Sequence, residues 1–122
     1  MKKEWFQLTQ GPVTVKSGTR NLSQNLAEVN YVGKYSKIDL QLQAAGCSNT
    51  TQAGITRVTI STGMGRDPND LWTELITFPT CYGASYLFRY AGIESHQDFI
   101  RWNIFGTNWD PAGIFITGCG YF

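Results

Sequence analysis

Between Lys37 and Ala45 apolar and polar residues alternate without a break, with Ile38, Leu40, Leu42 and Ala44 set against Asp39, Gln41 and Gln43. Successive side chains on a strand point to opposite faces, so this spacing predicts a strand with one buried and one wet face. Four more strand-like runs fill the second half: Leu71 to Phe78, Ser85 to Tyr90, Phe99 to Phe105 and Ile114 to Phe122. Within them Ile100, Trp102 and Ile104 share one face, opposite Arg101 and Asn103, and Tyr86, Phe88 and Tyr90 oppose Leu87 and Arg89. Earlier runs lie at Glu4 to Leu8, Val13 to Lys16, Leu26 to Val32 and Thr56 to Ser61, where Val58 and Ile60 are expected to face the core. No window offers a comparable amphipathic helix.

Turn chemistry separates the runs: Gly11-Pro12, Ser17-Gly18, Gly33, Gly46, Asp67-Pro68-Asn69-Asp70, Pro79, Gly83, Gly106 to Asn108 and Asp110-Pro111. Glycine supplies positive φ and proline cannot donate to a ladder, so each is a mechanistic break. Short strands at this spacing predict an all-β chain, an antiparallel β-sandwich of jelly-roll type with eight to nine short strands. At 122 residues the chain is expected to form one domain over 1–122.

Composition sharpens this reading. Apolar residues make up 42% and aromatics 14%, ample for a two-sheet core, whereas charged residues make up only 16%. The surface must therefore be built from Thr, Ser, Asn, Gln and backbone, which tolerates contact with copies of itself or with neutral ligands. A net charge of +1 leaves little to steer the chain toward nucleic acid or an anionic membrane, so neither is expected as a partner. No apolar run follows Lys2 and Lys3, so a signal peptide is not expected, and no run approaches the ~20 residues of a membrane span. Synthesis in the cytoplasm, with Cys47, Cys81 and Cys119 as buried free thiols, fits this; one disulfide plus a free thiol is the alternative. The sequons at Asn21 and Asn49 are read as coincidental in an Asn/Thr-rich chain.

Catalytic chemistry finds no motif. The single histidine, His96, sits in the polar run Glu94-Ser95-His96-Gln97-Asp98, where it is expected to be solvated. One His and three scattered Cys do not make a zinc site, and Gly63-Met64-Gly65 lacks the Lys and helix of a phosphate loop. Asp67 to Asp70 reads as a capped turn more readily than as a calcium loop. An acid/base pair such as Glu74 with Asp98 would have to meet in a cleft, and nothing in the sequence brings them together. The chain is therefore expected not to be an enzyme, and to carry no metal or cofactor. Binding falls to aromatics near ends and turns, since Trp and Tyr give large apolar area at low entropy cost. Trp5, Trp109, Tyr121 and Phe122 are the candidates; Trp72 and Trp102 are assigned to the core. The apolar terminus ending in Tyr121-Phe122 is expected to be pinned as a last strand or packed on a neighbouring subunit.

The succession Gly33-Lys34-Tyr35-Ser36-Lys37-Ile38-Asp39-Leu40-Gln41-Leu42-Gln43, then Arg57 to Thr62, Asp70 to Leu75 and Phe99 to Ile104, resembles small β-sandwich proteins of tailed phages and related bacterial particles. These decorate heads or form fibre and appendage parts. The likeness lies in strand texture and low charge over roughly residues 30–105, a texture that discoidin-like and carbohydrate-binding sandwiches share. It implies a non-enzymatic structural module, associated with a virion or particle, that forms a homo-oligomer. Open sheet edges fit that expectation, because pairing them in a symmetric oligomer removes an aggregation hazard. The second expectation is a glycan-binding module, with Trp5, Trp109 or Tyr121 as stacking platforms and Asn, Gln or Asp as hydroxyl partners.

Overall fold

The computed structural model of the chain describes residues 2–9, 13–15, 18–45, 55–65, 71–82, 86–109 and 112–122. The turn at Asp67 to Asp70 and Cys47 lie outside the described residues. Eleven strands are formed there: β1 (Lys3–Gln7), β2 (Val13–Val15), β3 (Gly18–Ser23), β4 (Asn30–Tyr31), β5 (Lys37–Ala45), β6 (Ile55–Gly63), β7 (Thr73–Thr77), β8 (Cys81–Tyr82), β9 (Tyr86–Ile93), β10 (Phe99–Trp109) and β11 (Ala112–Tyr121). All pairings are antiparallel.

The strands fill four positions in each of two sheets. In the first sheet β1 and β2 lie end to end along β11, followed by β5 and β9; in the second, β3 and β4 lie along β10, followed by β6, along which β7 and β8 lie. Apart from the β6–β7 hairpin and the breaks within an edge, each successive strand moves to the other sheet. That is the jelly-roll arrangement the alternation predicts.

The core lies between the sheets. Ile38, Leu40, Leu42 and Ala44 of β5 point inward and meet Ile100, Trp102 and Ile104 of β10 and Val58 and Ile60 of β6, in one buried cluster. Burying side chains of this size stabilises the fold by roughly 1.5–3 kcal/mol each. Trp72 is only half-buried, packed over Gly63 with the Arg101 guanidinium 5.9 Å from its ring centroid.

Several sequence expectations are corrected. Leu26 to Val32 is not a strand: Asn25 accepts a hydrogen bond from the Ala27 amide (2.9 Å) and opens a 3-10 turn, Leu26–Glu28, with only Asn30–Tyr31 paired afterwards. Gln24 replaces the missing ladder. Its buried side chain accepts from the Trp102 amide (3.2 Å) and donates to the Leu8 (3.1 Å) and Glu28 (2.8 Å) carbonyls. Gly18 is no break, since it opens β3 and pairs with Trp109 across an irregularity in β10. Nor do Gly106 to Asn108 end a strand. Gly106 and Thr107 keep their partners Thr56 and Ile55 on β6, so β10 runs on to Trp109.

Candidate functional site

Period-two alternation places Lys3, Trp5 and Gln7 of β1, Phe115, Thr117, Cys119 and Tyr121 of β11, Lys37, Asp39, Gln41 and Gln43 of β5, and Leu87 and Arg89 of β9 on the outer face of the first sheet. Register sets the rows: Trp5 lies beside Cys119, which lies beside Asp39, and Thr117 lies beside Gln41, which lies beside Arg89. Trp5 and Tyr121 are diagonal neighbours on this face, roughly 7–8 Å apart. Trp5 is 68% exposed. Cys119 is a buried free thiol beneath the surrounding side chains, as expected of it.

A hollow of about 300 Å³ opens here, walled by Trp5, Tyr121, Asp39, Gln41, Arg89 and Lys3 over a floor of Gly118 and Cys119. That volume is at the lower end of the ~300–1,000 Å³ of small-ligand sites. A second hollow, lined by Trp5, Phe6, Gln7 and Thr117, lies against Trp5 as well. Asp39 is fixed from two sides: the Tyr121 hydroxyl donates to Oδ2 (2.8 Å) and the Gly92 amide to Oδ1 (2.9 Å). Gly92 has φ +69° within the β9 irregularity facing Asp39, a conformation glycine adopts at little cost. Gln41 and Arg89 have no side-chain hydrogen bond among the described residues, so their donors and acceptors are available. Lys3 Nζ lies 5.7 Å from the Trp5 ring centroid and Lys37 Nζ 5.3 Å from that of Tyr121.

The hydrogen bond to Asp39 pushes the Tyr121 pKa up from 10.0 to about 12. Tyr121 is therefore a neutral donor rather than a nucleophile near neutral pH. A phenol whose pKa rises on folding stabilises the fold while protonated. That contribution is complete below the unfolded value near 10 and is lost as pH climbs through about 12. Tyr35 is raised too, first by burial and then by its hydrogen bond to Glu4. An alkaline absorbance titration of the six tyrosines should show a late-ionising component that Tyr121→Phe diminishes, leaving the share of Tyr35. Ionisation of all six near pH 10 would contradict it.

The other predicted residues go elsewhere. Phe122 alternates away from Tyr121 and packs edge-on against Tyr35, 5.3 Å between centroids, at the end of the sandwich. There Tyr35 also stacks on Phe6 (5.8 Å) and donates to Glu4 Oε1 (2.6 Å), which pairs with Lys34 (2.9 Å). These two hydrogen bonds, from Tyr35 first and Lys34 next, lower the Glu4 pKa. The tail is pinned as a last strand, since Phe122 N donates to the Lys2 carbonyl (3.1 Å) and Ser36 N to that of Tyr121 (2.8 Å). Trp109 ends β10, just before the start of β11, so its backbone lies roughly 30 Å along the sandwich from Tyr121; its side chain lies outside the described residues. His96 is not a solvated loop residue. Its Nε2 donates to the Tyr35 carbonyl (3.0 Å), and its Nδ1 is buried without a partner among the described residues. Asp39, Gln41 and Arg89 escaped the sequence reading as site residues because they look like the ordinary wet face of two strands.

Among the described residues no group of three His, Cys, Asp or Glu is placed to hold a metal ion, and no helix is long and apolar enough to cross a membrane. The arrangement offers an aromatic platform and fixed hydrogen-bonding groups.

No protein-family model matches the chain, and no curated protein matches it in sequence. Solved structures do match in fold. PBSX exported protein XepA superposes with a TM-score of 0.61 at 14% identity, over 97% of this chain and 37% of that one. Infectious bursal disease virus, Gx strain, gives 0.57 at 10% identity, over 97% and 31%. The CBM36-1 domain of a multidomain xylanase from the hindgut metagenome of Trinervitermes trinervoides gives 0.52 at 13% identity, over 98% of this chain and 97% of that domain. The chain thus spans about a third of the length of the first two and nearly all of the third. At these identities the likeness is one of fold: this chain is a jelly-roll β-sandwich of the architecture found in an exported phage protein, a viral particle and a carbohydrate-binding module.

Proposed function

We propose that this chain is a non-catalytic structural module of a virion-like particle or appendage, and that it self-associates through β9. The observation that carries the reading is the open edge of the first sheet. Among the described residues β9 pairs with β5 on one side and with no other strand along residues 87–93. Leu87, 66% exposed, lies on that strand together with exposed Arg89, Tyr90 and Ala91. An open strand edge presents backbone donors and acceptors to any second copy. Two β9 strands meeting about a two-fold axis would join the first sheets of both copies into one continuous sheet, an isologous contact that closes on itself. The low charge of the chain and its fold likeness to an exported phage protein and a viral particle support the reading. Phe122, 44% exposed at the end of the sandwich, is the further candidate for contact between copies.

Light scattering across a wide concentration range, with and without reductant, tests it. A dimer or larger closed assembly is expected, formed by strand pairing without the Cys119 thiol, which is buried. Leu87→Lys, which places a charge on the edge strand, should shift the mass toward monomer while the chain still melts cooperatively, because Leu87 is 66% exposed. A monomer at every concentration would sink the reading.

A further inference from the structure

We infer that the outer face of the first sheet is a carbohydrate-binding site, with Trp5 as its stacking platform and Asp39, Gln41, Arg89 and Tyr121 as its polar partners. The ligand class is a neutral polysaccharide of pyranose units with equatorial hydroxyls. This goes beyond the assembly reading and does not depend on it.

A pyranose with equatorial hydroxyls has two flat C–H faces and a rim of groups that both donate and accept hydrogen bonds. Recognition therefore needs an accessible aromatic plane beside donors and acceptors held at its edge. Trp5 supplies the plane: it is 68% exposed and lines both hollows of this face. The rim partners sit one (Tyr121), two (Asp39, Gln41) and three (Arg89) strands away, at positions fixed by the sheet rather than by a loop. Asp39 is an acceptor whose orientation is locked by the Tyr121 hydroxyl and the Gly92 amide. Gln41 presents an amide with a donor and an acceptor, and Arg89 a planar donor fork, neither of them bonded within the described residues. Asp39 and Tyr121 are held by their mutual hydrogen bond before any ligand arrives, so these two lose little entropy on binding.

The competing occupant is an acidic polysaccharide: Lys3, Lys37 and Arg89 against Asp39 leave this face net cationic, since contact of the two lysines with aromatic rings does not remove their charge. The exposed stacking plane and the fixed Asp39 acceptor favour a neutral chain, and the acidic polymer in the test below tells the two apart. The outer face of the second sheet makes a useful contrast. There the Ser23 hydroxyl donates to Asn103 Oδ1 (2.8 Å) and the Asn103 amide to Ser61 Oγ (3.0 Å), so its polar groups satisfy one another.

Native affinity electrophoresis tests the site with the whole chain, in gels containing hydroxyethylcellulose, xyloglucan or glycol chitin, with alginate as the acidic polymer. Retardation in at least one of the three neutral gels is expected. Trp5→Ala should weaken it roughly tenfold, and Gln41→Ala should weaken it to a smaller degree. Both variants should keep the wild-type melting temperature, because Trp5 is mostly exposed and Gln41 makes no hydrogen bond among the described residues. Trp109→Ala, far along the sandwich, should leave retardation unchanged. Three results would overturn the proposal: no retardation in any neutral gel, retardation that survives Trp5→Ala, or salt-sensitive retardation in alginate alone.

Discussion

Leu40→Asp is expected to abolish folding, whereas Asp at the next position, Gln41→Asp, should leave a cooperative melt within a few degrees of the wild type. Leu40 is completely buried at the centre of the first sheet, between Gly118 on β11 and Tyr90 on β9. Replacing it removes roughly 1.5–3 kcal/mol of apolar burial. It also places a carboxylate without a partner among aliphatic side chains, which costs several kcal/mol more even if the group takes up a proton. A domain of this size is stable by only about 5–15 kcal/mol, so the two losses together exhaust most of that margin. Gln41 points the other way, toward water. Circular dichroism melts of both variants check the contrast, and a Leu40→Asp protein melting at the wild-type temperature would refute it.

Gly120→Ala should be the most damaging change of a glycine in the first sheet. Gly120 points inward, where the Tyr35 ring lies flat against its Cα, and an added Cβ would overlap the base of that ring. Tyr35 cannot swing aside freely: it is buried, its hydroxyl is held by Glu4, and Phe6 and Phe122 flank it. Overpacking of this kind costs ~1–3 kcal/mol, or about 4 °C of melting temperature per kcal/mol in a chain of this length. Gly118→Ala meets the far end of the Phe6 ring instead. Phe6 is only half-buried and can yield, so the smaller loss is expected there. The mechanism is checked by a double-mutant cycle: in a Tyr35→Ala background Gly120→Ala should cost much less than alone. Equal costs in both backgrounds would mean that the overlap with Tyr35 is not the cause.

The two proposed surfaces are compatible. Pairing of two β9 strands about an axis normal to the sheet leaves both outer faces on the same side. Each assembled pair would then present two Trp5 platforms to one polysaccharide, so that modest affinity per site is multiplied through effective concentration.

The sequence by itself determined the fold class and the boundaries of its most regular strand. Lys37 to Ala45 alternates so strictly that only one register buries Ile38, Leu40, Leu42 and Ala44, and β5 has those bounds. Where strands are held by neighbours rather than by their own pattern, the reading failed. Gly18 to Ser23 contains one strongly apolar residue, Leu22, and is a strand because β10 supplies its hydrogen bonds. Leu26 to Val32 contains enough apolar residues to pass for a strand, yet Asn25 and Gln24 divert it into a turn and take over its ladder contacts. The site divides the same way. That Trp5 and Tyr121 are large aromatics near the ends could be read directly, and the alternation of Tyr121 with Phe122 already forbids both from serving one face of a strand. Only the tertiary structure brought the first and last strands side by side, placing Trp5 next to Cys119 and diagonal to Tyr121. Only it set Asp39, Gln41 and Arg89 around the same hollow. Local alternation fixes which way a side chain points; which strand lies alongside is decided by long-range pairing between segments more than a hundred residues apart, and no local pattern encodes that.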